Sequence, residues 1–179
     1  MISLTKLMIE SNLVRIEPIR LEHALPLSKW VNDPDMWQWW LREPPTTIDK
    51  LERSIREAFK ERDSGLREPF AVFSKELQTY VGETSFWFDS EDEVEIGSTW
   101  LCAELRGTGF NRAVKHLMIT HASRVYGSCE LVLQTDELNL RSQRAIEAIG
   151  GVEFKRMKAD KITWDGRVRT SVFYRVKRA

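Results

Sequence analysis

An α/β fold with a mixed, mostly antiparallel central sheet and helices on both of its faces is the fold class that the sequence predicts. Extended segments rich in β-branched and aromatic residues alternate with helical patterns along the chain. Three of these segments follow one another within residues 69–103 and are joined by short turns, which is typical of antiparallel neighbours. The 179 residues contain no repeat and no low-complexity linker, so we expect a single domain over residues 1–179.

The first third of the chain is predicted to contain one strand and two helices. Residues 1–12 have no clear pattern and are expected to be a loosely attached extension. A strand is predicted over residues 13–18 and a helix over residues 21–31, which Asn32-Asp33-Pro34 ends. The clearest helix covers residues 46–63, with Thr46 or Thr47 as its cap and Ser64-Gly65 at its end.

The rest of the chain is predicted to contain most of the sheet. Strands over residues 69–74, 80–88 and 94–103 lead to a glycine-rich loop and a helix whose apolar stripe consists of Ala113, Val114, Leu117, Met118, Ala122 and Val125. A strand over residues 130–135, a helix over residues 141–149 and a hairpin around Asp165-Gly166 follow. The predicted order is therefore β-α-α-β-β-β-α-β-α-β-β.

The charge composition argues against a nucleic-acid partner. Lys plus Arg and Asp plus Glu number 27 each, whereas proteins that bind nucleic acids normally have a basic excess. The basic residues between positions 155 and 178 are more typical of a solvated strand face. No apolar run is long enough to cross a bilayer, and the N-terminus lacks the apolar core of a secretory signal.

Cysteine and histidine spacing gives no indication of metal chemistry. Cys102 and Cys129 are far apart and form no CxxC pair, which suits a reducing cytosol. His116 and His121 are five residues apart on a predicted helix and so do not share a face as zinc ligands four apart would. We therefore expect a cytoplasmic protein with no metal, no membrane and no nucleic-acid partner.

A glycine-rich loop lies between the third of the consecutive strands and the following helix. Its sequence is Arg106-Gly107-Thr108-Gly109-Phe110-Asn111, which matches neither the Walker pattern nor G-x-G-x-x-G. Glycines at a strand-to-helix junction leave the first N–H groups of the helix open to an anion. The loop thus predicts a site for a phosphate-bearing cofactor, and a glycine-rich turn without a ligand is the alternative.

Two separated motifs resemble the GNAT N-acetyltransferases. Arg106 and Gly109 match that family's Gln/Arg-x-x-Gly-x-Gly/Ala loop, whereas Asn111 departs from it in a way that resembles the RimJ/RimL-type branch. Asn139-Leu140-Arg141-Ser142, with Ala145 and Gly150 after it, is similar to that branch's Asn-x-x-Ser helix. The tail from Trp164 to Arg169 resembles its closing hairpin, and the likeness covers roughly Leu13 to Val176.

The resemblance implies a GNAT-like fold and acetyl-CoA as the cofactor. It implies acetyl transfer to a primary amine, either a protein N-terminus or a small molecule, by direct attack in a ternary complex. It also implies that the strands ending at Leu101 and Thr135 part, with a β-bulge or splay that exposes backbone groups to the cofactor. The residues that it assigns to acetyl-CoA are Leu101, Arg106, Gly107, Thr108, Gly109, Phe110, Asn111, Asn139 and Ser142.

Two catalytic residues follow from the resemblance. Glu95 is expected to face the acceptor cleft and to remove a proton from the amine, and a solvent-facing strand glutamate is the alternative. Many GNAT enzymes use a tyrosine as the acid, but that position here is Ile146, so the resemblance assigns Ser142 to the leaving thiolate. A helix N-cap is the alternative for Ser142. Loss of the tyrosine leaves a non-catalytic acyl-CoA-sensing or interaction module as the rival function.

Three of the seven tryptophans fall within Trp37-Gln38-Trp39-Trp40. No regular helix or strand can place all three on one buried face, so at least one is expected at a cleft or an interface. The resemblance favours the wall of the acceptor pocket, to which Trp87 is also assigned. A wedge between the first helices and the sheet, or a homodimer contact, are the alternatives.

Overall fold

A computed structural model describes residues 8–127 and 129–177 and contains one eight-stranded sheet of order β1-β2-β3-β4-β5-β6-β8-β7. The strands are β1 (Ile9–Glu10), β2 (Val14–Pro18), β3 (Arg67–Ser74), β4 (Thr79–Trp87), β5 (Glu93–Leu101), β6 (Glu130–Asp136), β7 (Val152–Ile162) and β8 (Val168–Val176). The helices are α1 (Ala24–Leu27), α2 (Pro34–Trp37), α3 (Ile48–Asp63), α4 (Phe110–Val125) and α5 (Leu140–Glu147). The predicted mixed, mostly antiparallel sheet is confirmed.

One pair of neighbouring strands is parallel, and it is the pair that opens. β5 and β6 pair only through Glu93–Glu95 and Glu130–Val132, and the two strands diverge beyond those residues. The other neighbouring strands pair in the antiparallel direction. The open wedge between β5 and β6 therefore lies in the middle of the sheet, at the position where the resemblance implied that the strands part.

Each face of the sheet has its own apolar core. Side chains of β2–β6 and β8 pack on α4 on one face, with Phe70, Phe86, Val114, Met118 and Leu133 among those fully or almost fully buried. On the other face, residues of α1, α2 and α3 pack on Ala71 and Trp100. Burial of each large apolar side chain contributes about 1.5–3 kcal/mol, so these two layers hold the wedge in a rigid frame.

Three predictions about the N-terminal third need correction. Ile9–Glu10 pairs with β2, so the predicted extension is part of the sheet from this strand onward, and residues 1–7 lie outside the described part. The predicted helix over residues 21–31 consists of a 3-10 turn at Leu21–His23 followed by the four-residue α1. The predicted break at Asn32-Asp33-Pro34 is the start of α2, because Asp33 caps this helix and Pro34 occupies its first turn.

Candidate functional site

A cavity of about 920 Å³ opens at the wedge between β5 and β6. The glycine-rich loop and the start of α4 line one part of it, and Asn139, Ser142 and Ile146 from the α5 region line another. Trp39, Trp40 and Trp87 line it from the segment after α2 and from β4. The fold thus brings most of the sequence-predicted site residues to one cavity.

The loop has the backbone that its glycines predict. Gly107 and Gly109 have φ angles of 75° and 86°, in the left-handed region that favours glycine. Thr108 fixes the turn, because its Oγ1 donates to Leu105 O at 2.8 Å and accepts from Phe110 N at 3.3 Å. The first-turn N–H groups of α4 lie beyond this turn, and Arg112 and Arg141 line the same cavity. Together they form a positively charged cradle that suits a phosphate group.

Two of the expected cofactor residues have other side-chain roles. Phe110 is buried in the core beneath the loop and does not line the cavity. The Arg106 guanidinium forms an ion pair with Asp33, the cap of α2, so it ties the loop to that helix. Arg106 nevertheless lines the cavity, as do Leu101, Gly107, Thr108, Gly109, Asn111 and Asn139.

A β-bulge deforms β5 beside the wedge. Ser85 pairs with Gly97 and Glu83 with Trp100, so two residues of β5, Ser98 and Thr99, lie opposite one residue of β4. Ser98 has a φ of 46°, and the indole Nε1 of Trp87 donates to its Oγ at 3.1 Å. The bulge interrupts the ladder where β5 lines the cavity and leaves backbone groups of this segment available to a ligand.

Glu95 lines the cavity within a polar network. Gln134 Nε2 donates to Glu95 Oε2, and Gln134 Oε1 accepts from Lys161 Nζ at 2.6 Å and from Arg169 Nη2 at 3.3 Å. Burial raises the pKa of Glu95 above its ordinary value, and the hydrogen bond from Gln134 opposes that rise. Gly97 leaves room for the carboxylate, because a Cβ there would lie 2.4 Å from Glu95 Oε1.

Ser142 lies at the start of α5 but is not its cap. Asn139 is the N-cap, and its Oδ1 accepts from Ser142 N at 3.1 Å. The alternative of an N-cap role for Ser142 is therefore wrong, since the third residue of the helix donates to the cap. Ser142 lines the cavity, as does Ile146 one turn later.

The tryptophan segment is divided between core and cavity. Trp37 is buried, donates from its indole Nε1 to Val31 O at 2.8 Å and does not line the cavity. Trp164, at the β7–β8 turn, donates from its indole Nε1 to Trp37 O at 3.0 Å, and its N–H donates to Trp40 O at 3.1 Å. The closing hairpin is thus fastened to the rim formed by Trp39 and Trp40. A homodimer contact through this segment stays a prediction.

Two ionisable groups of the cavity were missed in the sequence. Glu83 on β4 is 7% exposed, and its Oε1 has no hydrogen-bond partner among the described residues. Burial raises its pKa to about 7 despite the charge of Arg67 and a hydrogen bond with Trp100. Lys115 on α4 is 8% exposed, and burial lowers its pKa to about 8. A signal for Lys115 was present, because it lies three and four residues before the buried Met118 and Ile119.

Two basic residues of the C-terminal run also differ from the expectation of a solvated face. Lys161 and Arg169 line the cavity, and Arg169 is buried with its Nε donating to Ser171 Oγ at 3.1 Å. Lys155, Arg156 and Lys158 on the same hairpin are exposed as expected. Strand alternation alone does not explain the division, because the neighbouring Lys155 and Arg156 are both exposed; β7 is an edge strand, and a register shift between Met157 and Lys161 separates its exposed basic residues from Lys161.

Residues 8–127 and 129–177 contain neither a candidate metal site nor a helix that could span a membrane. Over this part of the chain, no group of three or more His, Cys, Asp or Glu side chains could hold a metal ion. Within the same residues, no helix has the length and apolar character needed to cross a bilayer.

Comparisons with known proteins agree with this fold. Residues 14–152 match the model of the acetyltransferase (GNAT) domain family. A crystal structure from T. thermophilus, assigned as an acetyltransferase, shares 26% identity and a TM-score of 0.82, with 94% of this chain and 88% of that chain covered. A search of curated proteins finds no match to this sequence.

Two further solved structures share the fold at lower identity. The ribosomal-protein-S5-alanine acetyltransferase from Vibrio fischeri has 15% identity and a TM-score of 0.77, with 95% of this chain and 96% of that chain covered. RimJ from Mycobacterium smegmatis, in complex with CoA-disulfide, has 16% identity and a TM-score of 0.78, with 91% of this chain and 81% of that chain covered.

Proposed function

The chain belongs to the GNAT acetyltransferase family, whose members use acetyl-CoA, and from that premise we propose that it transfers the acetyl group to a primary amine by direct attack in a ternary complex. The observation that carries this proposal is the single cavity that joins the glycine-rich loop to Glu95 across the wedge between β5 and β6.

The described residues fit the cofactor. The left-handed Gly107 and Gly109 place no side chain at two positions of the loop, and among the described residues a Cβ at Gly107 would meet no atom within 4 Å. Arg112 and Arg141 supply positive charge there, and the amide of Asn139 keeps its N–H₂ donors available while its oxygen caps α5. When bound, acetyl-CoA supplies an activated acyl group with a thiolate leaving group.

Glu95 is proposed to take the proton from the attacking amine, directly or through a water. Lysine-type amines have a pKa near 10 and α-amino groups near 8, so most of the acceptor arrives as ammonium. A carboxylate whose pKa is raised by burial is a better base for such an acceptor than an exposed one. Glu83 Oε1, which has no hydrogen-bond partner in the described part of the chain, provides a second hydrogen-bond acceptor for the ammonium group.

Ser142 is proposed to donate its hydroxyl hydrogen bond to the thiolate as it leaves. A thiol has a pKa near 8.5 and leaves easily, so a neutral hydroxyl is sufficient for this task. Ile146 has no hydrogen to donate, and Ser142 lines the cavity one helical turn before it. The cap role of Asn139 holds the first turn of α5 in place, which fixes the Ser142 side chain at the wedge.

The acceptor site is proposed to lie between the tryptophans and the polar network of Glu95. Trp39, Trp40 and Trp87 provide aromatic walls, which suit an ammonium group or its methylene carbons. The Vibrio fischeri neighbour is named for an alanine of a ribosomal protein, which supports testing a peptide with an N-terminal alanine. A small-molecule amine fits the same chemistry.

The first experiment measures release of the CoA thiol with a panel of acceptors: peptides with free N-termini, amino acids, polyamines and aminoglycosides. Calorimetry of acetyl-CoA binding accompanies it. Turnover with one acceptor class is the expected result and would identify the acceptor. Tight acetyl-CoA binding without turnover by any of these amines would favour the acyl-CoA-sensing module, and absence of binding would refute the cofactor assignment.

Variants then test the two roles with the acceptor so identified. Glu95→Gln should lower kcat by about a hundred- to a thousandfold, which is within the range of general-base catalysis. Glu93→Gln is the matched control, because Glu93 lies on the same strand but does not line the cavity. Ser142→Ala should lower kcat with little change in acetyl-CoA affinity. Full kcat in Ser142→Ala would remove this hydroxyl from the mechanism.

A further inference from the structure

Lys115 is a buried cation that the acetyl-transfer scheme above does not use. It lies in the second turn of α4 and lines the cavity beneath the bulge of β5. Its Nζ donates to Thr99 Oγ1 at 2.7 Å and to Ile96 O at 3.5 Å. Ile96 directly follows the last residue of β5 that pairs with β6, and Thr99 belongs to the bulge, so the ammonium group is held beside the open wedge.

Burial of the Lys115 ammonium group at this position costs free energy, and a functional role would explain why a lysine lies there. Desolvation lowers the pKa of Lys115 to about 8, and the charge of Glu95 opposes that effect. An ammonium group has three N–H donors, and within the described residues Thr99 and Ile96 accept from two of them. The Ile96 contact is at the outer limit of a hydrogen bond. At least one donor is therefore available to a ligand in the cavity.

Acetyl transfer needs such a donor at a defined atom. As the amine attacks, negative charge develops on the carbonyl oxygen of the thioester, and a preorganised donor in a dry site stabilises that charge most effectively. Glu95 has the wrong charge for this task, and Arg106 is engaged with Asp33. Lys115 is a buried cation at the bulge, where β5 lines the cavity.

We propose that Lys115 donates a hydrogen bond to the carbonyl oxygen of the acetyl thioester and thereby polarises the group that the amine attacks. This proposal rests on the proposed function only in that acetyl-CoA binds in this cavity. Lys115 keeps its proton throughout. The amine attacks in its neutral form, after an ammonium acceptor has released its extra proton to solvent. Its nitrogen forms the new bond to the carbonyl carbon, the carbon–sulfur bond breaks and the sulfur leaves as thiolate, and the one proton that the nitrogen loses on becoming an amide goes to Glu95.

A purely structural role is the competing explanation, because Lys115 also bridges α4 to the bulge through Thr99 and Ile96. Loss of such a bridge would alter the fold or the affinity for acetyl-CoA. It would not selectively alter the electronic state of the bound carbonyl. The test must therefore report on that carbonyl directly, without dependence on turnover or on the identity of the acceptor.

Isotope-edited infrared spectroscopy of acetyl-CoA labelled with ¹³C at the acetyl carbonyl provides this readout. With the wild-type protein, we expect the carbonyl band of the bound ligand at lower frequency than in water, because the hydrogen bond from Lys115 weakens the double bond. Lys115→Met should remove most of this shift while acetyl-CoA affinity, measured by calorimetry, changes by less than about tenfold. Lys115→Arg, which keeps a cation, should retain part of it.

His116→Gln is the control on the same helix, because His116 is exposed and is absent from the cavity wall. It should leave the band unchanged. With the acceptor found in the panel, Lys115→Met should also lower kcat by about a hundred- to a thousandfold, the usual cost of losing one donor to the developing charge. A wild-type band shift that persists in Lys115→Met would overturn the proposal.

A second measurement keeps the test decisive where Lys115→Met fails to fold. The wild-type band should return toward its position in water as pH rises past the pKa of the lysine, which is about 8 without a ligand. Glu95 of β5 is the charged group that acts on Lys115, and Arg112 of α4, Asp136 of β6 and Arg141 of α5 also line the cavity. A Glu95→Gln protein should shift this transition to lower pH. A band that does not move between about pH 7 and 10.5 would refute the role of the ammonium charge.

No acetyl-CoA binding by the wild-type protein would overturn the cofactor assignment and this proposal together. Binding without turnover would contradict the proposed function alone, and the infrared result would still decide the role of Lys115.

Discussion

Glu83 of β4 and Lys115 of α4 line one cavity, and both have pKa values close to neutrality. Burial raises the pKa of the Glu83 carboxyl to about 7 and lowers that of the Lys115 ammonium to about 8. Buried ionisable groups of this kind weaken the fold and concentrate at functional sites. Their cost to stability can be measured separately from their contribution to activity.

Glu83→Gln should stabilise the protein at alkaline pH. The folded-state pKa of Glu83 is about 7, above its ordinary value of 4.5. Below pH 4.5 the carboxyl is neutral in both the folded and the unfolded state and does not weaken the fold. As pH rises from 4.5 through 7, the folded state loses stability, because the buried carboxyl ionises less readily than the unfolded one. The difference of roughly 2.5 pKa units corresponds to a penalty on the order of 3 kcal/mol at pH 8, which the neutral amide avoids. Chemical unfolding at pH 8 and at pH 4.5 measures it.

The stabilisation should be large at pH 8 and small at pH 4.5. Glu91→Gln, at an exposed position in the turn between β4 and β5, controls for the loss of a carboxylate from the surface. Equal unfolding free energies for wild type and Glu83→Gln at pH 8 would contradict the inferred burial of an ionised carboxylate.

At the level of elements, local signals were sufficient for the long helices and most strands. The Thr47 cap and the apolar stripe define α3, and the alternating residues of β3–β5 define consecutive strands. The short α1 and α2 were not separable from one interrupted helix, because tertiary contacts of residues such as Leu27 and Trp37 stabilise them. Ile9–Glu10 acquires strand structure only by pairing with β2, which no local pattern reveals.

The residues of the candidate site were also predictable only in part. Residue patterns and the family resemblance together led to the loop, Glu95 and Ser142, and apart from Phe110 of the loop all of these residues line the cavity. Glu83, Gln134 and Arg169 were not found, because their places in the cavity follow from strand register. The same limit applies to Phe110 and Trp37, whose side chains turn into the core rather than into the cavity.

The glycine-rich loop before α4 gives a prediction about a single structural element. Gly109→Ala should cost about 1–2 kcal/mol of stability, because Gly109 has a φ of 86° and an alanine there is strained. It should also weaken acetyl-CoA binding, since any adjustment of the backbone turns the first N–H groups of α4 away from the phosphate. Thermal unfolding and calorimetry measure the two effects.

Gly65→Ala is the matched control. Gly65 has a φ of 79° with open space around its Cα, but it follows α3 and does not line the cavity. It should cost similar stability and leave acetyl-CoA affinity unchanged. Equal loss of affinity in both variants would show that Gly109 affects binding only through global stability.

For the whole molecule, the dominant feature is that β1–β5 and β6–β8 are connected within the sheet by three residue pairs of β5 and β6. A ligand in the wedge contacts both parts at once. By mass action, acetyl-CoA should stabilise the folded state by about 2.7 kcal/mol when its free concentration is one hundred times its Kd. The stabilisation should be concentrated in the strands that border the wedge.

Hydrogen exchange with and without acetyl-CoA tests this prediction. Amides of residues 96–101 in β5 and 133–136 in β6 should exchange more slowly with the ligand, because these segments line the wedge. Amides of β2, which lies three strands away from β5, serve as the internal control. Uniform slowing over the whole sheet would indicate that the ligand acts only on global unfolding.

The attachment of Trp164 to the backbone of Trp37 and Trp40 has a consequence for how this protein could acquire new acceptors. The rim formed by Trp39 and Trp40, part of the proposed acceptor site, comes from the first quarter of the chain and is held by the last hairpin through Trp164, whereas the loop that suits acetyl-CoA lies between these two segments in sequence. Exchanging the hairpin tip and the tryptophan segment as a matched set would reshape the entrance and leave the acyl-donor half intact. Acceptor choice and donor chemistry can thus diverge independently during evolution.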